Sequence, residues 1–160
     1  MIVVTDTSPL RYLIMLGAEW LLPRLYLRVI CPDVVIRECF SHGAPDALRA
    51  WAASPPDWLE IRKISATSLQ ELELLDAGER WAIELALSEG ADAMLMDETA
   101  GRQAARNAGL IAVGTIGILA EAARSGWIEY DSTVRRLLAE TNFRVSPSVV
   151  ELGRAHSQGK

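Results

Sequence analysis

Ile2-Val3-Val4-Thr5-Asp6-Thr7-Ser8-Pro9 reads as a buried strand that ends on an acid and turns at once into a helix. Four β-favouring residues without polar alternation suit a strand covered on both faces. Ser8 is expected as the N-cap of the helix, with Pro9 at its first position. The same strand-to-helix step recurs later: residues 93–96 form a strand run ending in Asp97-Glu98, and a helix follows over 99–108. It recurs once more where a strand over 110–113 meets Gly114-Thr115 and a helix over 115–125.

Outward from these steps, residues 28–31 form another short strand, and Pro32 starts a helix through Phe40. A helix over 43–53 is ended by Ser54-Pro55-Pro56, and 59–64 suits an edge strand. Helices are expected over 67–75 and 78–89, broken at Asp76-Ala77-Gly78, and again over 131–141 and 147–156. Strands alternating with helices of this length predict an α/β fold, a three-layer α/β/α sandwich with a central, mainly parallel sheet. One domain is expected over residues 1–145, with a C-terminal helix and tail, 146–160, belonging to it. In such sheets ligands bind outside the carboxyl ends of the strands.

The bulk numbers agree with a single packed domain. The chain has 160 residues, half of them hydrophobic, enough for a real core with an apolar face left for a partner. The apolar stretch 13–22 is interrupted by Glu19 and falls short of the ~20 residues a bilayer span needs. The opening Met1-Ile2-Val3-Val4-Thr5-Asp6 lacks the basic start of a signal peptide, so a cytoplasmic protein without a membrane partner is expected. Net charge is −5, yet 14 of the 16 basic residues are Arg, the type suited to bidentate phosphate contact. Composition therefore leaves nucleic-acid binding open. Cys31 and Cys39 match no redox or zinc spacing, even with His42, and are expected as free thiols on a buried helix.

The strand ends carry the chemistry. If the three strands are parallel neighbours, Asp6, Asp97 and Thr115 converge on one crevice. Capping is the plainer reading for Ser, Thr and Asp at helix starts. Ser8 and Thr99 fill the expected cap slots, which leaves Asp6 and Asp97 spare. Glu79 is ambiguous in a different way. Asp76-Ala77-Gly78-Glu79 has the spacing of a capping box. Ala82, Ile83 and Ala86, however, lie three, four and seven residues on, so Glu79 leads the inward stripe while Arg80 and Glu84 take the outer face. Glu38, with Val34 and Val35 one turn back, stands on or beside the buried side of its helix, either in a salt bridge with Arg37 or another Arg or at a site.

Together the four acids point to a hard divalent cation. Mg2+ and Mn2+ take oxygen ligands, and carboxylates crowded into one crevice repel one another without such an ion. One or two ions there would polarise a phosphodiester, lower the pKa of a water and stabilise the leaving oxygen. His42 and His156 lie outside these motifs, so a Ser-His-Asp triad has no anchor.

Val4-Thr5-Asp6-Thr7-Ser8-Pro9-Leu10, the Pro32–Glu38 run, residues 76–83, Leu95-Met96-Asp97-Glu98, Gly101-Arg102 and Gly114-Thr115-Ile116-Gly117 occur in an order that resembles a PIN domain. The likeness covers nearly the whole chain and is closest to the prokaryotic PIN-like subfamily related to VapC-type toxins of toxin–antitoxin pairs. It implies that Asp6, Glu38, Glu79 and Asp97 are the catalytic, metal-binding acids and that the cofactor is Mg2+ or Mn2+. It further implies a ribonuclease that cuts single-stranded RNA, acting as a toxin with a cognate antitoxin protein and forming a homodimer. Thr7 or Ser8, and Thr115, would support the site by hydrogen bonds. Two departures from the family pattern stand out. Glu79 replaces the Asp found at the third position of many PIN nucleases, and Glu98 follows Asp97 as a possible extra ligand. Arg102, one turn past Asp97, would orient an acid or contact phosphate, or be a solvated helix arginine. The five tryptophans fit core or interface positions better than base stacking.

The alternative within the same likeness is a catalytically inactive binding protein working through dimerisation or an antitoxin. Other strand-end aspartate enzymes fit less well. Haloacid-dehalogenase-like enzymes need a second Asp two residues after the first, where this chain has Ser8. Response-regulator receivers need a Lys after a late strand, and the only lysines are Lys63 and Lys160. A dinucleotide fold needs a Gly-rich turn after the first strand, which Asp6-Thr7-Ser8-Pro9 is not.

Overall fold

The computed structural model describes residues 1–63 and 77–159, and for 77–80 the backbone alone. Strands β1 (Ile2–Thr5), β2 (Arg28–Pro32), β3 (Leu59–Arg62), β4 (Ala93–Leu95) and β5 (Ile111–Val113) make one sheet in the order β3-β2-β1-β4-β5. Every pairing in it is parallel. The described helices are α1 (Thr7–Leu16), α2 (Leu21–Leu25), α3 (Asp33–Cys39), α4 (Asp46–Ala53), α5 (Ala77–Ser88), α6 (Thr99–Asn107), α7 (Thr115–Arg124), α8 (Tyr130–Glu140) and α9 (Pro147–Ser157). The helix expected over 67–75, and Asp76 with it, lies outside the described residues.

Side-chain alternation along the strands divides the interior into two cores. Val3, Val29, Cys31, Leu59, Ala93 and Leu95 face one side of the sheet. There they meet Leu10 and Leu13 of α1, Leu21 and Leu22 of α2, Val35 of α3, Leu48 of α4, Ile118 and Leu119 of α7 and Leu137 of α8. Val4, Ile30, Met94 and Met96 face the other side, against Ala82, Ile83 and Ala86 of α5 and Ala105 of α6. The result is the expected three-layer α/β/α arrangement. Most of these side chains are fully buried, and each large one contributes roughly 1.5–3 kcal/mol through water exclusion.

Local details correct several sequence expectations. α1 begins at Thr7 and not after Ser8: Asp6 occupies the cap position, and Pro9 falls third in the helix, where its missing N–H still costs nothing. α6 likewise starts at Thr99 itself, with Glu98 in the cap position. Pro32 ends β2, and the helix after it starts at Asp33. α4 starts at Asp46, because the residue before Pro45 is steered away from helical angles. The short helix α2 was not expected. It follows the turn in which Gly17, at φ 66°, closes α1 by donating to the Leu13 and Ile14 carbonyls. Cys31 lies on a strand and not on a helix, and Glu84 is half-buried and not on the outer face. No described helix is long and apolar enough to cross a membrane.

The C-terminal α9 packs against α7 and α8. Gly153 makes this contact possible: a Cβ there would sit 2.2 Å from the Tyr130 hydroxyl and 2.7 Å from Ile116 Cγ2. That hydroxyl also donates to the Val150 carbonyl at 2.8 Å. Gly153→Ala is therefore expected to destabilise the protein by about 1–2 kcal/mol in urea unfolding, the overlap outweighing the better helix propensity of Ala. An unchanged midpoint would mean that α9 is held less tightly than its packing implies.

Both cysteines are buried free thiols. Burial pushes the Cys39 thiol up to about 11, and Cys31 is raised further, first by burial and then by Cys39 and nearby acids. Neither is expected to react with an aromatic disulfide reagent at pH 8 until denaturant is added. Rapid native-state labelling of either thiol would contradict this.

Candidate active site

From β1 the chain winds through β2 to β3 on one side, and β4 and β5 lie on the other. The switch in winding direction falls between β1 and β4. A crevice forms at such a point outside the carboxyl ends of the strands. The ladder continues past both strand ends. The Asp6 N–H donates to the Leu95 carbonyl at 2.9 Å, and the Met96 N–H donates to the Val113 carbonyl at 2.9 Å. These bonds fix Asp6 and Asp97 at the ends of adjacent strands; of the two, only Asp97 lines the clefts described below.

Asp6 is only 4% exposed and makes no capping hydrogen bond to α1. The cap position therefore goes to an acid that does not use it as a cap. Asp97 is placed by the next strand over. The Thr115 N–H donates to its Oδ1 and the Thr115 hydroxyl to its Oδ2, both at 2.7 Å. Gly114, the cap residue of α7, has no side chain, so Asp97 supplies an anion to that helix N-terminus from outside. Burial holds the Asp97 carboxyl above its ordinary value. The two Thr115 hydrogen bonds and the Arg102 charge oppose this, and Glu98 adds to it.

Glu38 is half-buried on α3, and its Oε2 accepts from the Thr7 hydroxyl. This contact ties α3 to the first turn after Asp6. Arg37, the salt-bridge partner considered for Glu38, instead pairs with Asp33 at 3.3 Å. Glu79 lies in the first turn of α5, where Ala82, Ile83 and Ala86 are buried as the helical phase requires. Its side chain, and the capping box with Asp76, lie outside the described residues. Ser8 is half-buried, and Glu98 is exposed. Among the described residues, no three acidic, histidine or cysteine side chains gather into a metal-holding group. Asp6, Glu38 and Asp97 thus do not complete such a group by themselves. Their donor chemistry is all carboxylate oxygen, which suits Mg2+ or Mn2+.

Two clefts meet at Asp97. A small one of ≈340 Å³ is bordered by Ser8, Tyr12, Glu98 and Asn142. A larger one of ≈1060 Å³ runs past Arg102 and Gly114 between β5, α7 and α9. Asp97, Thr99, Phe143 and Arg144 line both. Arg102 crosses directly over Gly114, where a Cβ would be 2.5 Å from its Nη1 and 3.0 Å from Asp97 Oδ1. Burial depresses the Arg102 pKa, the charge of Arg106 adds to this, and Asp97 opposes both.

Sequence reasoning missed Tyr12, Asn142, Phe143 and Arg144. The Tyr12 hydroxyl donates to Asn142 Oδ1 at 3.1 Å, and its ring meets Phe143 edge-on at 4.9 Å. These contacts join positions 130 residues apart, beyond the reach of any local pattern. The tryptophans line neither cleft. Arg24 lies over the rings of Trp20 and Trp127, at 5.4 and 4.4 Å, and Trp51 is 6.4 Å from Trp58.

A family model described as a PIN domain matches residues 2–156. Comparisons with curated proteins and with solved structures give no significant match.

Proposed function

The chain belongs to the PIN-domain family, and on that footing we propose that it is a Mg2+- or Mn2+-dependent endoribonuclease of single-stranded RNA. Members of the family are typically nucleases and generally bind these ions. The observation that carries the reading is the pair Asp6 and Asp97 at the ends of adjacent parallel strands, at the switch point of the sheet. Asp6 and Asp97 would hold the cation, with Glu38 and Glu79 completing its carboxylate shell. A bound divalent ion polarises the phosphodiester and lowers the pKa of a water. The chain's own share is positional. Thr115 fixes both Asp97 oxygens, Thr7 fixes Glu38, and the neighbouring clefts offer room for a strand on either side of Asp97.

We further propose that the protein is the toxin of a toxin–antitoxin pair, working as a homodimer and silenced by a cognate antitoxin protein. This rests on the resemblance to VapC-type proteins, and a small open reading frame beside the gene would support it. The chemistry is tested by incubating a pool of single-stranded RNA with Mn2+ and wild type, Asp6→Asn or Asp97→Asn protein. Cleavage by wild type alone is expected. Equal cleavage by all three would end the catalytic reading, and a wild type that neither cleaves RNA nor binds Mn2+ would favour the non-catalytic binding role.

A further inference from the structure

Two arginines, Arg102 and Arg144, line the larger cleft beside Asp97. Arg28 and Arg62 share Glu60 and Glu89, Arg136 pairs with Glu140, and Arg154 holds Asp131 and Glu151. Neither Arg102 nor Arg144 makes a side-chain hydrogen bond or ion pair with another described residue, yet both border the space beside Asp97. Arg102 is half-buried, and its guanidinium occupies the gap that only a glycine at 114 leaves open. A half-buried guanidinium at a cleft can receive an anionic guest, and its planar fork matches a phosphate. Arg144 is exposed and stands where the small and large clefts join.

We propose that Arg102 and Arg144 are the phosphate-binding residues of a single-stranded RNA path that crosses the site at Asp97. This rests on the nuclease reading and assigns the strand its course through both clefts. Arg144 holds a phosphate at the junction of the clefts, and Arg102 holds one inside the larger cleft, over Gly114. The occupant is a polyanion because two guanidinium groups border the same cleft, beside a carboxylate whose charge a passing RNA strand must tolerate. A flexible single strand suits two clefts that share Asp97, Thr99, Phe143 and Arg144.

The test measures binding of a labelled single-stranded RNA decamer by fluorescence anisotropy, with Mn2+ present, in an Asp6→Asn background that keeps the strand intact. Arg102→Ala and Arg144→Ala are each expected to weaken binding about tenfold. Each should also lower the slope of log affinity against log salt by about 0.7, the value of one single-strand phosphate contact. Arg144→Lys should retain the slope while losing part of the affinity. Arg49→Ala, exposed on α4 away from both clefts, should change neither. Unchanged affinity and slope in both alanine variants would overturn the proposal while leaving the nuclease reading intact, provided that wild type cleaves. A parent protein that binds no RNA would overturn the proposal outright, and wild-type cleavage would then decide separately whether the nuclease reading survives.

Discussion

Asp6→Asn is expected to lower Mn2+-supported RNA cleavage by about 10²- to 10³-fold, the loss seen when one preorganised charge-stabilising group is removed from an active site. The substitution keeps the shape of a side chain that is 4% exposed and removes only its negative charge. Since Asp6 caps nothing on α1, the helix start has no capping bond to lose. The α1 cap is therefore unaffected while kcat/KM collapses. The Mn2+ concentration giving half-maximal activity should rise in whatever cleavage remains. A variant that retains full activity at low Mn2+ would remove Asp6 from the site.

Asp97 variants should lose stability as well as activity. In Asp97→Ala the Thr115 N–H and its fully buried hydroxyl lose their acceptors together. Each buried group left without a partner costs about 1–3 kcal/mol, and losing the anion at the start of α7 costs about 0.3–1 kcal/mol more. A fall of about 2–7 kcal/mol in unfolding free energy is expected, measured by urea denaturation. Asp97→Asn should fall between Ala and wild type, because an amide offers one acceptor oxygen and sets its NH2 against a donor. Thr115→Val, which keeps the N–H bond and loses the hydroxyl, should cost about 1 kcal/mol. Loss of stability with Asp97→Ala, larger than with Thr115→Val, is the signature expected of the Thr115 contacts. An Asp97→Ala protein as stable as wild type would mean that the Thr115 contacts contribute nothing.

Much of this arrangement was legible in the residues. Unbroken apolar runs such as Ile2-Val3-Val4 mark strands buried on both faces, and such strands require helices above and below. Treating three strand ends as parallel neighbours matches β1, β4 and β5, and Thr115 bonds Asp97 as that adjacency requires. The order of the strands was not readable, because the pairing of β1 with β4 joins segments some ninety residues apart. Cap assignments failed for a local reason. Ser8 and Thr99 have good cap chemistry, but Asp6 and Glu98 are the last extended residues, and the backbone turns there without a side-chain bond. Capping of α7 by Asp97 was invisible for the opposite reason, since the cap comes from another strand. The cleft wall built by Asn142, Phe143 and Arg144 carries no periodicity or motif; only its packing on Tyr12 reveals it.

The central claim is that these acids form a divalent-cation site, and anomalous diffraction from a Mn2+-soaked crystal tests it most directly. The expected result is a Mn2+ peak between Asp6 and Asp97, within reach of Glu38 and Glu79. A crevice without manganese, at a Mn2+ concentration that supports cleavage, or a peak elsewhere in the molecule, would contradict it.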